Sequence, residues 1–460
     1  MIVICPCAGR DRRNRSERTG KYGLYAAPFC RGRRVDTSVR KAGLCHAAVY
    51  YLAGATYPAH VGIAKGGGRT VNGKDMKPSN LHLYEEELAN LQASDNLRRL
   101  PQALHRGREI ETADGVMLNL SSNDYLGLAA DAGLRSEFLR LLTPENLLFT
   151  SSSSRLLTGN FTVYEEVENL LADLFGAESA LVFNSGYHMN TGILPAVSNA
   201  RTLILADKLV HASLIDGIRL SAARCVRFRH QDYAQLEILL RKHHAEYERI
   251  IIVTESVFSM DGDVADLARL VSLKHRYDNV MLYVDEAHGV GVRGRRGLGV
   301  AEEQGCVADI DFLCGTFGKA LASVGGYVVC RRPLREYLVN RMRTLIFTTA
   351  LPPVNLEWTK FILERLESLE ERRERLARFS SQLRRALHGR GYDCPSQSHI
   401  LPIMVGDSHE AVRRAEEMRR KGFYVLPVRP PTVPEGTSRL RLSLTAALTQ
   451  EDIDRLIINL

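Results

Sequence analysis

The sequence has no run of about 18 consecutive apolar residues, roughly the length that crosses a bilayer as a helix, so no membrane span is expected. Its nine cysteines show no two pairs at the spacing of a zinc site, and the Cys5-Pro6-Cys7 run has no second pair to complete one. No metal centre is expected. Cysteines such as Cys314 in DFLCG and Cys330 in YVVC sit in apolar runs, which reads as buried free thiols in a reducing, cytoplasmic setting rather than a disulfide framework. No G-x-G-x-x-G is expected to follow any strand, as a nicotinamide-binding fold would require. Internal repeats are absent as well.

Acidic residues are scarce only at the start. Residues 1–75 hold 14 Lys/Arg against Asp11, Glu17, Asp36 and Asp75, a net of +10, while the whole chain carries +8. The other 385 residues are therefore at −2, and the charge gives no support to nucleic-acid binding by the body of the protein. The segment 1–75 has neither helical nor strand periodicity. It reads as a disordered basic tail, an organellar transit peptide, or translated sequence ahead of a functional start at Met76, the last being favoured because the amphipathic LHLYEEELANLQ follows at once.

Past residue 117 the chain alternates. Apolar strand-like runs occur at 179–184, 202–206, 250–254, 280–284 and 325–330, with helical patterns such as 163–175 and 264–276 among them. Short continuously apolar strands separated by helices indicate an α/β fold, a mostly parallel sheet with helices on both faces. A long charged helix is expected over 355–387, followed by a smaller α/β domain over 399–460. The expected division is an extension (1–75), an N-terminal segment (76–124), a large domain (125–353) and a small domain (354–460).

Sheets of this kind bind ligands beyond the carboxyl ends of their strands. There the sequence places Ser185-Gly186-Tyr187, His211, Ser259, Asp285 with His288, and Thr316 with Lys319. A lone Asp after a strand is ordinarily a helix cap, and a lone lysine is ordinarily exposed. Together they match what pyridoxal phosphate requires: a lysine for the imine, an acid for the ring nitrogen, a face for the ring and backbone N–H groups for the phosphate. The small residues of GTFGKALASVGG around Lys319 let its side chain approach a flat ring.

Eight motifs in order, SSNDYLGL, FNSGYHMN, DKLVHASLIDG, TESVFSMDGD, VDEAHGVG, GTFGKA, IFTTALPP and RPPTVPEGTSRLRLSLTA, resemble the α-oxoamine synthases over about residues 80–460. These are fold-type-I pyridoxal phosphate enzymes that condense an amino acid with an acyl thioester and release carbon dioxide. The resemblance implies that Lys319 holds the cofactor and moves the substrate α-proton, Asp285 pairs with the pyridine nitrogen, His288 bonds the ring hydroxyl and His211 stacks on the ring. It implies backbone contacts from Gly186 and Tyr187 beside Ser185 to the phosphate, with Ser259 and Thr316 nearby. Thr348 and Thr349 would reach the phosphate of a second subunit, making the enzyme a homodimer. Arg441 would clamp the amino acid carboxylate and Asn123 would contact substrate.

The chain departs from the pattern at Ser151–Ser154, where the family has glycines, and at Tyr164, where a histidine is usual, which bears on the acyl group. The RPPTVPEGTSRLRLSLTA stretch resembles the branch that joins L-alanine to a pimeloyl thioester, on coenzyme A or on a carrier protein, in biotin synthesis. Glycine with acetyl-CoA is the alternative pair. An aminotransferase and a non-catalytic binding module of the same fold are the rival classes.

Overall fold

Runs of Ile, Val and Leu too short for helices become the strands of the central sheet. The computed structural model describes residues 80–460, so the expectations for residues 1–75 and for Met76 lie outside the described residues. Seven strands are hydrogen-bonded in the order Ser179–Phe183, Gly326–Cys330, Phe312–Thr316, Val280–Asp285, Arg249–Glu255, Thr202–Asp207, Arg224–Phe228. Gly326–Cys330 runs antiparallel to both neighbours and the remaining pairs are parallel. Five of these strands fall on the five apolar runs, and Phe312–Thr316 on DFLCG. The edge strand Arg224–Phe228 escaped notice because Arg224 and Arg227 interrupt its apolar pattern, which an edge position tolerates.

Helices such as Thr162–Phe175, Gly186–Val197 and Leu267–Lys274 pack on the sheet through buried apolar residues. The first ends at Gly176, whose φ of +62° gives the left-handed turn that terminates it. The expected single helix over 355–387 is instead two, Pro353–Leu363 and Glu370–Gly389, separated by a 3-10 turn at Glu367–Leu369. The Arg373 guanidinium takes the carbonyls of Leu366 and Glu367, so these no longer serve a continuous helical ladder.

Ile400–Gly406, Ser438–Ser443 and Pro427–Val428 form a three-stranded antiparallel sheet with Ser438–Ser443 in the middle. Leu104–Arg106, Glu109–Thr112 and Gly115–Asn119 form a meander that Phe423–Tyr424 extends in parallel. The segment preceding the large sheet thus pairs with the chain's last third. Gly289, Gly291 and Gly294 do spell G-x-G-x-x-G, but in a loop beyond the strand Val280–Asp285 that opens no helix. Among the described residues no helix is long and apolar enough to cross a membrane, and no cluster of His, Cys, Asp and Glu could hold a metal ion. Cys225 is half-buried, and Cys306, Cys314, Cys330 and Cys394 are buried free thiols.

Candidate active site

Phe183, Asp207, Glu255, Asp285 and Thr316 end strands of the large sheet at one edge, and the polar residues gather there. Asp285 is buried. Its Oδ1 accepts from the Ala287 N–H at 2.9 Å, the local turn contact expected of any Asp after a strand. Its Oδ2 accepts from the Asn190 amide at 2.8 Å, and Tyr283 Oη fixes that amide by donating to Asn190 Oδ1 at 2.6 Å. A capping aspartate needs no such second partner. The register pairs Asp285 with Glu255 on the adjacent strand, setting two carboxyls side by side. Burial, and then the charge of Asp285, push Glu255 well above the usual carboxyl range, so it is neutral at neutral pH.

Lys319 is half-buried, with Nζ 2.7 Å from His288 Nε2. Burial lowers its pKa to about 8, against the attraction of Asp285. Burial and the neighbouring Lys319 hold His288 well below the usual imidazole range, so it is neutral. Its tautomer follows from the partners. Tyr125 Oη donates to Asn123 Oδ1 at 2.9 Å and lies 2.6 Å from His288 Nδ1. With its one proton committed, Tyr125 accepts from Nδ1–H, which leaves the Nε2 lone pair facing Lys319. Arg441, on the central strand of the small sheet, donates through Nε to the Ser259 carbonyl at 2.6 Å. Its terminal nitrogens each lie 3.3 Å from Asn123 Oδ1.

Ser185 caps the helix Gly186–Val197, its Oγ accepting from His188 N–H at 3.1 Å. First-turn amides of a helix have no partner within it and make an anion site. A Cβ on Gly326 would lie 2.9 Å from the Gly186 nitrogen, so only glycine lets that strand run so close beneath the helix start. Thr316 Oγ1 donates to the Gly325 carbonyl at 2.8 Å and accepts from the Gly318 N–H at 3.2 Å, shaping the turn that leads to Lys319. The exposed Tyr187 side chain donates from Oη to Asp216 at 2.9 Å. His211 opens the helix Ala212–Leu220 with Nδ1 2.8 Å from Ser213 Oγ, while its backbone N–H donates to Glu255. Partial desolvation in the cleft lowers its pKa, and the ring is neutral. Thr348 and Thr349 lie apart from Lys319, next to Asn184, whose amide donates to the Thr349 carbonyl at 2.5 Å and lies 3.4 Å from Thr348 Oγ1.

The departures at Ser151–Ser154 and Tyr164 brace this last loop. Ser151 Oγ donates to the Ala350 carbonyl at 2.8 Å, and Leu351 N–H donates to Tyr164 Oη at 2.7 Å. Tyr164 is fully buried, and burial pushes its phenol up to about 12. Its hydroxyl holds Leu351, just beyond the Thr348–Thr349 loop, and the Arg155 guanidinium covers its ring at 4.0 Å. Asn190, Glu255, Tyr125 and Tyr283 were not singled out in the sequence. A signal existed for Glu255, a carboxylate ending an apolar strand as Asp285 does.

A lysine of depressed basicity, a buried carboxylate fixed by an amide and a helix start cradled over Gly326 fit pyridoxal phosphate in donor type. The family model for class I and II aminotransferases matches residues 116–460. A protein of Pasteurella multocida provisionally named 8-amino-7-oxononanoate synthase is 55% identical over 82% of this chain and 98% of its own length. One of Neisseria meningitidis with the same provisional name is 54% identical over 81% and 98%. Among solved structures, the serine palmitoyltransferase of S. paucimobilis, with a bound PLP–myriocin aldimine, superposes with a TM-score of 0.77 at 30% identity over 83% of this chain and 97% of that one. The 8-amino-7-oxononanoate synthase of Francisella tularensis does so with a TM-score of 0.64 at 27% identity over 75% and 97%. The chain belongs to the class I and II aminotransferase family and, within it, to the α-oxoamine synthases, acyltransferases of fold type I that depend on pyridoxal phosphate.

Proposed function

We propose that the enzyme condenses L-alanine with a pimeloyl thioester, giving 8-amino-7-oxononanoate, carbon dioxide and free thiol. The observation that carries this reading is the 53–55% identity to relatives of that provisional name over 98–99% of their length. Pyridoxal phosphate supplies the electron sink that makes the α-hydrogen of an amino acid acidic.

The residues act around it. Lys319, with a pKa near 8, takes a proton at Nζ and returns it near neutral pH, where a lysine of ordinary basicity would stay charged. Neutral His288 accepts at Nε2 and keeps Nζ aimed, and Tyr125 keeps His288 in that tautomer. Asp285 holds a proton on the pyridine nitrogen, with Asn190 fixing the carboxylate and neutral Glu255 adding no second charge. His211 covers one face of the ring. The amides of Gly186 and Tyr187 beside Ser185 receive the phosphate, and Ser259 and Thr316 stand close to the cofactor, Thr316 shaping the turn that carries Lys319. Arg441, steered by the Ser259 carbonyl and Asn123, clamps the amino acid carboxylate through its two terminal nitrogens. The enzyme works as a homodimer in which the Thr348 and Thr349 hydroxyls of each chain complete the phosphate site of the other.

The test is incubation with L-alanine and pimeloyl-CoA, reading thiol release and the product's mass. One thiol per 8-amino-7-oxononanoate is expected. Turnover that requires a keto acid and releases no thiol would make the protein an aminotransferase, and cofactor binding with neither reaction would make it a binding module.

A further inference from the structure

Beside the active site, meeting it where His399 packs on Tyr125, lies a cavity of about 480 Å³. The helix Glu370–Gly389, the loop carrying Val292–Arg295 and the segment Gln397–His399 enclose it. None of these residues belongs to the machinery described above. Two of its buried side chains have unmet chemistry. His399 is 2% exposed, yet neither ring nitrogen has a hydrogen-bond partner. A buried polar atom without a partner costs about 1–3 kcal/mol, so two on one ring call for something to bond them. Arg373 is 5% exposed, and its guanidinium contacts only the carbonyls of Leu366, Arg295 and Glu367. Among the described residues no carboxylate reaches it at ion-pair distance, although Glu370, Glu302, Glu367 and Glu374 act on it from further away, and buried cations are ordinarily paired directly.

The remaining lining, of mixed charge, adds two further cations without an ion-pair partner among the described residues. Half-buried Arg384 touches only the Ser396 carbonyl, at 3.3 Å, and exposed Arg295 forms no ion pair among the described residues. Arg293 is engaged by Glu303. Glu370 and Glu374 also line the cavity, but they are exposed, where water screens them, whereas Arg373 and His399 are buried. The His399 ring centroid lies 3.9 Å from that of Tyr125, so this buried end abuts the residue that orients His288.

We propose that this cavity is a binding site for a small molecule with a carboxylate or phosphate group, held by Arg373 and Arg384 and hydrogen-bonded by His399. The anion pairs with the two guanidiniums and accepts from one ring nitrogen, and a hydroxyl or amine of the same molecule donates to the other. Through the edge-on contact of His399 with the Tyr125 ring an occupant steadies the His288–Lys319 pair.

Isothermal titration of the enzyme saturated with cofactor and L-alanine, with succinate alone and with inorganic phosphate alone, tests this, because saturation fills both the phosphate position and the Arg441 clamp of the main site. Saturable binding with a Kd at or below about 1 mM is expected for one of them, identifying the head group. Arg384→Ala and His399→Phe should each weaken it at least tenfold. His399→Phe keeps the ring packed on Tyr125, and Arg384→Ala changes a half-buried residue, so a fold defect in one leaves the other decisive once thermal melts are compared. Absence of saturable binding for both probes, or equal affinity in wild type and a folded variant, would overturn the proposal.

Discussion

Replacing Lys319 by methionine should stabilise the cofactor-free protein while abolishing turnover. The amine's pKa falls from 10.5 to about 8 because burial outweighs the attraction of Asp285. At about 1.36 kcal/mol per unit, holding the charged amine in the folded cleft costs about 3 kcal/mol, less what residual solvent returns, so about 2–3. The sign follows from the depressed folded value. Below pH 8 lysine is charged both folded and unfolded, and the whole cost is present. Between pH 8 and 10.5 the folded lysine is neutral while the unfolded one remains charged, and the cost fades. Methionine keeps the apolar stem and removes the amine. Urea unfolding of both cofactor-free proteins should therefore show the variant ahead by about 2–3 kcal/mol at pH 7 and the gap nearly closed by pH 10.5. A variant no more stable than wild type at pH 7, or a gap unchanged at high pH, would refute the reasoning.

Arg441→Lys keeps the charge and loses the two-pronged geometry, so the KM for the amino acid should rise by about 10- to 100-fold, with a smaller change in the KM for the thioester; steady-state kinetics reads both. Glu286 is buried, accepts from Ser256 and from Ala301 N–H, and has a pKa raised to about 7, mainly by burial. A raised carboxyl favours folding below its unfolded value near 4.5 and loses that contribution as pH rises through 7. Denaturant titrations should thus show wild type losing up to about 3 kcal/mol between pH 4.5 and 7 relative to Glu286→Gln. Ser152 has φ +50°, a conformation that disfavours side chains, and is exposed. Ser152→Gly should raise stability by about 0.5–1 kcal/mol without changing kcat, as thermal melts and assays would show.

The sequence disclosed the strands because each buried one is an unbroken apolar run, and it pointed to Asp285, His288 and Lys319, which the structure gathers at one sheet edge, because each follows such a run. What it hid depends on neighbours distant in sequence. Asn190 reaches Asp285 only once a helix packs on the sheet, and Glu255 pairs with Asp285 only through strand register. Tyr125 meets His288 across 163 residues of chain. The break before Glu370 was hidden for another reason. Leu366, Leu369 and Leu376 keep a helical spacing through it, and only the Arg373 side chain, turned inward onto backbone carbonyls, reveals the interruption.

The central claim is the substrate pair. The most direct measurement compares kcat/KM for L-alanine with pimeloyl-CoA against glycine with acetyl-CoA on one preparation. One methyl group discriminates by only about 1–3 kcal/mol, so most of the difference should come from the acyl chain. The account predicts a higher kcat/KM for L-alanine with pimeloyl-CoA, with 8-amino-7-oxononanoate as product; a higher value for glycine with acetyl-CoA would contradict it.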